Sequence, residues 1–282
     1  MPAFQSPYSA LLRHAELSGE EPWLFRSEGL DWRWHTWGEV ARQAASWASH
    51  FAGRPPASRI EFPYRPSPES IALDLGIMGA GLVSVPTGRE GAPTEPPSSP
   101  GGLGGRLGEE GRGDEGLLGR EGFGANTGGA VVQIEGTSVE VGIGELMEMA
   151  ERVQAEIAPA RRAGEREIVV LGGPLEMPEE RAMWAWATVT GAAVALEPAP
   201  ELRIATAAWV RPTVFHGTAE EIAVLRGWAE VKKKRGLPFG RLRTVLVAGG
   251  EIGQEEAAFW RGLGVKLGRM PPLAAERHKH GI

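Results

Sequence analysis

The 282-residue chain has no cysteine, which excludes disulfides and thiolate metal sites and leaves the redox compartment unread. It has no segment near the roughly 18 consecutive apolar residues of a membrane span. Its start, MPAFQSPYSALLRHAE, lacks the basic stretch and apolar core of a secretory leader. No membrane span and a cytoplasmic location are therefore expected. Basic charge is not in excess: 30 Lys and Arg stand against 36 Asp and Glu, a formal net charge of -6. That balance gives no general attraction to nucleic acid or anionic lipid. No repeat with a period of about 20 to 50 residues is visible, which argues against a solenoid.

What is present is an ordinary globular composition, 42% hydrophobic and 23% charged, long enough for one large or two smaller domains. Trp37, Val40, Ala41, Ala44, Trp47, Ala48 and Phe51 fall on one stripe at helical spacing, and Thr36 with Glu39 supplies a capping box at its start. A short strand over 59–62 ends at Pro63. Ser67 and Pro68 suit the N-cap and first position of the next helix, which stops at Gly79-Ala80-Gly81. Residues 82–85 read as a strand. Further on, strands are expected at 167–171, 192–196, 213–215, 242–248 and 265–267. Helices are expected from Pro178 to Val189, over 202–210, after the capping-box pair Thr218 and Glu221, and around Ala257, Ala258 and Trp260. This alternation points to a layered α/β fold with mostly parallel strands, laid out as a first lobe over 1–86 and a second over 130–282. Between them, 87–129 is dominated by glycine, proline and charge, and reads as a flexible linker or decayed insert.

The centre of the chain is AVVQIEGTSVEVGIGELMEMAERVQAEI. Residues 130–134 read as a buried strand and Gly136-Thr137-Ser138 as a turn. A helix is expected to follow, with Ile143, Leu146, Met147, Ala150, Val153 and Ile157 on one face. Backbone N–H groups of such a turn, beside a helix N-terminus, can hold an anion. No lysine lies between Val131 and Ile157 to meet outer phosphates.

Other constellations carry little chemistry. His278 and His280 end the chain without a carboxylate partner, and no metal site is expected. His14, His35 and His50 stand alone. The ten tryptophans sit mostly at helical apolar positions and read as core. Glu176, Glu179 and Glu180 flank a proline helix start, where acidic residues suit the helix dipole; a general acid/base pair is the alternative. The basic run Lys232-Lys233-Lys234-Arg235 suits a solvated helix end.

Several blocks, in order, resemble the large N-terminal domain of the adenylate-forming, AMP-binding superfamily of acyl-CoA synthetases and luciferases. WHTWGEVARQAASWASHF is similar to the early helix of that family. RIEFPYRPSPESIALDLGIMGAGLVSVP resembles the strand, turn, helix and Gly-Ala-x-x-x-x-Pro block after it. GAAVALEP, RPTVFHGT and LRTVLVAGGEIGQEEAAFWRGLGVKL resemble an aliphatic strand, a strand leading to the acyl pocket, and a Gly-Gly turn facing adenine. By this resemblance Gly136, Thr137 and Ser138 are the remnant of the phosphate loop. Gly249, Gly250 and Glu251 would face adenine, and His216 and Gly217 would lie nearer the acyl group.

The departures from that pattern fall on the chemistry. The family's phosphate loop reads approximately T-S-G-T-T-G-x-P-K-G, whereas this chain has EGTSVEVGIG. Met177 stands where the family's Pro-x-x-His block has histidine. The Tyr-Gly-x-Thr-Glu signature, whose Glu helps hold magnesium, is replaced by GRMPPLAAERHKHGI. The small C-terminal domain with its catalytic lysine has no counterpart in the sequence. Several of the donors that would stabilise a carboxylate's attack on the α-phosphate are missing together. The expectation is a ligase-like protein without independent adenylation activity and without an assigned catalytic residue, binding ATP, AMP or an acyl ligand weakly. Two alternatives are a structural or regulatory subunit docking a protein partner, and a carboxylate–CoA ligase completed by a separate C-terminal domain in trans.

Overall fold

The computed structural model describes residues 4–28, 31–88, 128–134, 136–234 and 240–271. The segment 87–129, read as a linker, lies outside the described residues except at its ends, where Thr87 closes one strand and Gly129 opens another. His278, His280 and Arg235 also lie outside them.

The chain opens with helix α1 (Pro7–Ser18), capped by Ser6, and a hairpin of β1 (Pro22–Glu28) and β2 (Asp31–Thr36). Helix α2 (Trp37–Phe51) has the expected capping box, Thr36 accepting from Glu39 N while the Glu39 carboxylate accepts from Thr36 N. Strand β3 (Arg59–Pro63), helix α3 (Pro68–Gly79) with Ser67 as N-cap, and strand β4 (Val83–Thr87) follow. Next come β5 (Gly129–Ile134), β6 (Thr137–Gly142) and α4 (Ile143–Ile157). The remainder alternates: β7 (Ile168–Leu171), α5 (Pro178–Thr190), β8 (Ala193–Leu196), α6 (Arg203–Val210), β9 (Val214–Thr218), α7 (Ala219–Lys234), β10 (Thr244–Ala248), α8 (Gln254–Gly262) and β11 (Lys266–Arg269).

These elements form a seven-stranded sheet, β11-β10-β9-β7-β8-β1-β2, and a four-stranded sheet, β3-β4-β5-β6. Only the outer pairs β1–β2 and β5–β6 are antiparallel. The fold is thus α/β with two mostly parallel sheets, as expected. Each sheet draws strands from both sides of the Gly/Pro-rich segment: β1 pairs with β8, and β4 with β5.

The period-two alternation of buried strands decides the layers. Val169, Leu171, Val194, Leu196, Val214 and Leu246 face one core with α1 to α5 and the smaller sheet. Val170, Ala195, Phe215, Val245 and Val247 face the other, against Ala207 of α6, Ile222, Leu225 and Ala229 of α7, and Trp260 of α8. Trp23, Trp37, Trp47, Trp184, Trp186 and Trp260 are buried, in keeping with the reading of the tryptophans as mostly core, whereas Trp34 and Trp209 are exposed. On α4 it is Met149 that is buried, and Met147 only packs against the margin. No helix among the described residues is long and apolar enough to cross a membrane.

Candidate functional site at the carboxyl ends of the sheets

After β7 the chain crosses to β8 on one side of it, then returns to β9 on the other. That reversal is a topological switch point, and in open α/β sheets the crevice outside the strand ends at such a point is where ligands bind. Here the carboxyl ends carry Gly172 and Gly173 after β7, Glu197 after β8, His216 to Thr218 at the end of β9, and Gly249 to Glu251 after β10. The smaller sheet aims its carboxyl ends at the same region. Tyr64 N donates to Thr87 O (3.0 Å), tying the ends of β3 and β4 together, and Gln133 N donates to Glu176 O (2.6 Å), tying β5 to the turn between β7 and α5.

That turn is unusually close to its neighbours. A Cβ on Gly172 would lie 1.7 Å from the carbonyl oxygen of Glu197, so only glycine fits. Gly172 N and Gly173 N both donate to Glu180 Oε1, at 2.8 and 2.9 Å. Glu180 is therefore not a solvated carboxylate at a helix start, as the sequence suggests: it is 2% exposed and turned back onto the β7 end. Burial raises its pKa. Its second oxygen lies 3.5 Å from His216 Nδ1, yet among the described residues neither imidazole nitrogen has a hydrogen-bond partner. Burial, reinforced by the charge of Arg203, pushes His216 down to about 3, so its ring is neutral at pH 7.

Arg203, which no sequence motif singles out, holds this edge together. Its Nη2 donates to His216 O (2.8 Å) and Val170 O (3.3 Å), and its Nη1 to Glu221 Oε1 (3.0 Å). Glu221 Oε2 in turn accepts from Thr218 N at the start of α7. Glu197 Oε2 accepts from Thr206 of α6 (2.7 Å). On the side of the smaller sheet, Arg181 Nη1 donates to Asp74 Oδ2 (2.6 Å), and Ser84 donates to the other Asp74 oxygen. The Tyr64 phenol is fully buried, and burial first, then the carboxylates of Glu180 and Asp74, raise its pKa well above the usual value.

The expected site residues are spread over this edge unequally. His216 and Gly217 lie within β9 and are buried, and a Cβ on Gly217 would meet Glu221 Oε2 at 2.7 Å. Gly249 and Gly250 form a turn one residue past the pairing of Ala248 with Thr218. Both have positive φ, 67° and 70°, and among the described residues nothing lies within 4 Å of the place a Cβ would take on either. Glu251 beside them is exposed. Gly136, Thr137 and Ser138 do not join them in a loop. The structure corrects the turn expected there: Ile134 pairs with Thr137 and Gln133 with Ser138, so Thr137 and Ser138 begin β6. Gly136, φ 77°, lies in the tight connection, and the whole of β6 separates it from the start of α4.

A nucleotide fits this edge only in part. The Gly249-Gly250 turn presents open backbone to a flat ring, but the connection from Ile134 to Thr137 is too short to wrap phosphates. Met177, in the position expected to hold histidine, is 45% exposed at the N-cap of α5. Among the described residues no group of three or more His, Asp or Glu side chains could hold a metal ion.

No family model and no curated protein matches the sequence. Solved structures do match the fold. The N-terminal domain of FACL13 from Mycobacterium tuberculosis aligns with a TM-score of 0.64 at 11% identity, over 94% of this chain and 75% of that one. The nonribosomal peptide synthetase FmoA3, in its AMPPNP-bound form, aligns with a TM-score of 0.67 at 18% identity, over 96% of this chain and 32% of that one. A Mycobacterium tuberculosis fatty acyl CoA synthetase aligns with a TM-score of 0.64 at 13% identity, over 93% of this chain and 58% of that one. The chain thus spans three quarters of the first and about a third of the second. In architecture, this chain has the fold of the N-terminal domains of adenylate-forming enzymes.

Proposed function

We propose that this protein is a ligase-like domain that does not form acyl-adenylates by itself and that binds an adenine nucleotide weakly at the carboxyl edge of its larger sheet. The observation that carries this reading is the β5–β6 connection. With Ile134 paired to Thr137, the backbone at this connection leaves no loop whose N–H groups could surround a triphosphate. Adenylation requires donors and a cation placed against charge that develops in the transition state. Shape and backbone contact suffice for a ring, and the open turn at Gly249 and Gly250, with Glu251 exposed beside it, supplies them. The buried His216 and Gly217 leave an acyl group less room, so the adenine end is the part of the ligand that this edge favours. FmoA3, of the same fold, has been solved with AMPPNP bound.

Carboxylate-dependent ATP–pyrophosphate exchange, run with a mixed carboxylate panel and magnesium, is expected to stay at the no-protein level. Calorimetric titration with AMP and ATP should give weak, saturable heat of similar size for both, because the added phosphates gain no contacts. Exchange above the control overturns the non-catalytic reading. No heat at millimolar nucleotide overturns the binding reading.

A further inference from the structure

At the switch point the backbone offers two amide donors to one oxygen, and the oxygen belongs to the protein. Gly172 N and Gly173 N converge on Glu180 Oε1 at 2.8 and 2.9 Å. The carboxylate is 2% exposed, and the positive charge of Arg203 acts on it. Arg203 is fixed in place by the carbonyls of Val170 and His216. His216 completes the surround: its ring is buried, stands 3.5 Å from Glu180 Oε2, and makes no hydrogen bond to a described residue through either nitrogen. Paired backbone N–H groups converging on one oxygen, with an imidazole nitrogen 3.5 Å from the other, are the components of a site for a carboxyl group. A polar group this deep in the protein ordinarily has partners.

We propose that the end of β7 is a carboxylate-binding site whose occupant is the side chain of Glu180, so that deleting that side chain opens the site to a free carboxylate. The site lies between β7 and β9, apart from the Gly249-Gly250 turn, and it does not depend on nucleotide binding. In the intact protein the resident carboxylate excludes external ones. An acid approaching the crevice meets two amide donors already committed and a glycine, Gly173, whose Cβ position would lie 3.0 Å from the Glu180 carboxyl group.

The test is chemical rescue of Glu180→Ala. Acetate restores atom for atom what that substitution removes: Cγ, Cδ and the carboxylate oxygens. Thermal unfolding of the full chain is followed in sodium acetate, in sodium chloride of equal ionic strength, and in acetamide. Glu180→Ala is expected to show a saturable rise in Tm of about 3–6 °C in acetate, absent in chloride and in acetamide. The wild-type chain and Glu180→Gln, whose side chain occupies the space that acetate would need, should show no acetate-specific rise. A folded Glu180→Ala that responds to acetate no more than to chloride overturns the proposal. So does a wild-type chain that responds equally. A Glu180→Ala chain that stays unfolded in acetate overturns it as well, because a site able to take the free anion would recover the fold. No nucleotide enters the readout, so the outcome is separate from that of the exchange and calorimetry experiments.

Discussion

Arg181 Nη1 of α5 lies 2.6 Å from Asp74 Oδ2 of α3, joining two helices 107 residues apart in sequence through a pair that is 2% and 5% exposed. Asp74 is further held by Ser84, whereas Arg181 Nε and Nη2 have no partner among the described residues. Such a pair costs more to break than it contributes by existing, since removing one member strands the other's charge. Asp74→Ala is expected to lose about 3–5 kcal/mol. The double substitution Asp74→Leu with Arg181→Met should recover most of that loss, as urea denaturation of the single and double variants will show.

His216 sets an acid limit on stability. Its folded pKa, about 3, lies below the unfolded value of 6.5, so between those values the unfolded chain binds the extra proton and stability falls as pH falls. The slope reaches at most about 1.4 kcal/mol per pH unit. Glu180 acts in the opposite sense. Its folded pKa is raised, so the stability it contributes is present below its unfolded pKa and is lost as pH rises through the folded one. His216→Gln is therefore expected to flatten the decline between pH 6.5 and 4, measured as urea midpoints across that range.

The tryptophan stripe of α2 should be worth a large core residue at each step. Trp37 stacks on Trp23 with ring centroids 4.1 Å apart and planes 10° off parallel, and both are buried. Trp37→Ala or Trp47→Ala is expected to cost about 3–5 kcal/mol. A loss below about 1 kcal/mol in equilibrium denaturation would show that the stripe does not carry the core.

Glycine at 172 is a matter of space. Gly172→Ala must push the β7 end away from Glu197, with a loss of about 1–3 kcal/mol or more from overpacking. Gly253→Ala is the control: its φ is -65°, open space surrounds its Cβ position, and its effect should stay within about 0.5 kcal/mol.

The parts of the fold that were legible from sequence are those where local chemistry and burial agree. The capping pair Thr36 and Glu39, the start at Ser67-Pro68, and the pair Thr218 and Glu221 all formed as expected, because each satisfies its own helix's free N–H groups. The β1–β2 hairpin left no comparable signal. β2 lies at the sheet margin with Asp31, Arg33 and Trp34 exposed, so its sequence carries no clean alternation. Thr137 and Ser138 look like turn residues, but pairing to β5 overrides that preference. At the site, Glu180 and Arg203 were illegible for a common reason. What buries them is the demand of strand ends far away in sequence: amides at Gly172 and Gly173 for the carboxylate, carbonyls at Val170 and His216 for the guanidinium. Arg203 turns inward while Leu202 and Trp209 of the same segment face solvent, the reverse of what helical patterning alone suggests.

The pairing of β1 with β8 also has a consequence for synthesis. Leu24 lies beside Val194 and Arg26 beside Leu196, so the N-terminal hairpin waits for a partner made roughly 170 residues later. At typical translation speeds of about 5–20 residues per second, that is a delay of about 10–30 s. Until then the hydrogen-bonding edge of β1 has no neighbour on the β8 side. Long-range parallel pairing of this kind folds slowly, so the larger sheet cannot close around β1 until β8 has left the ribosome.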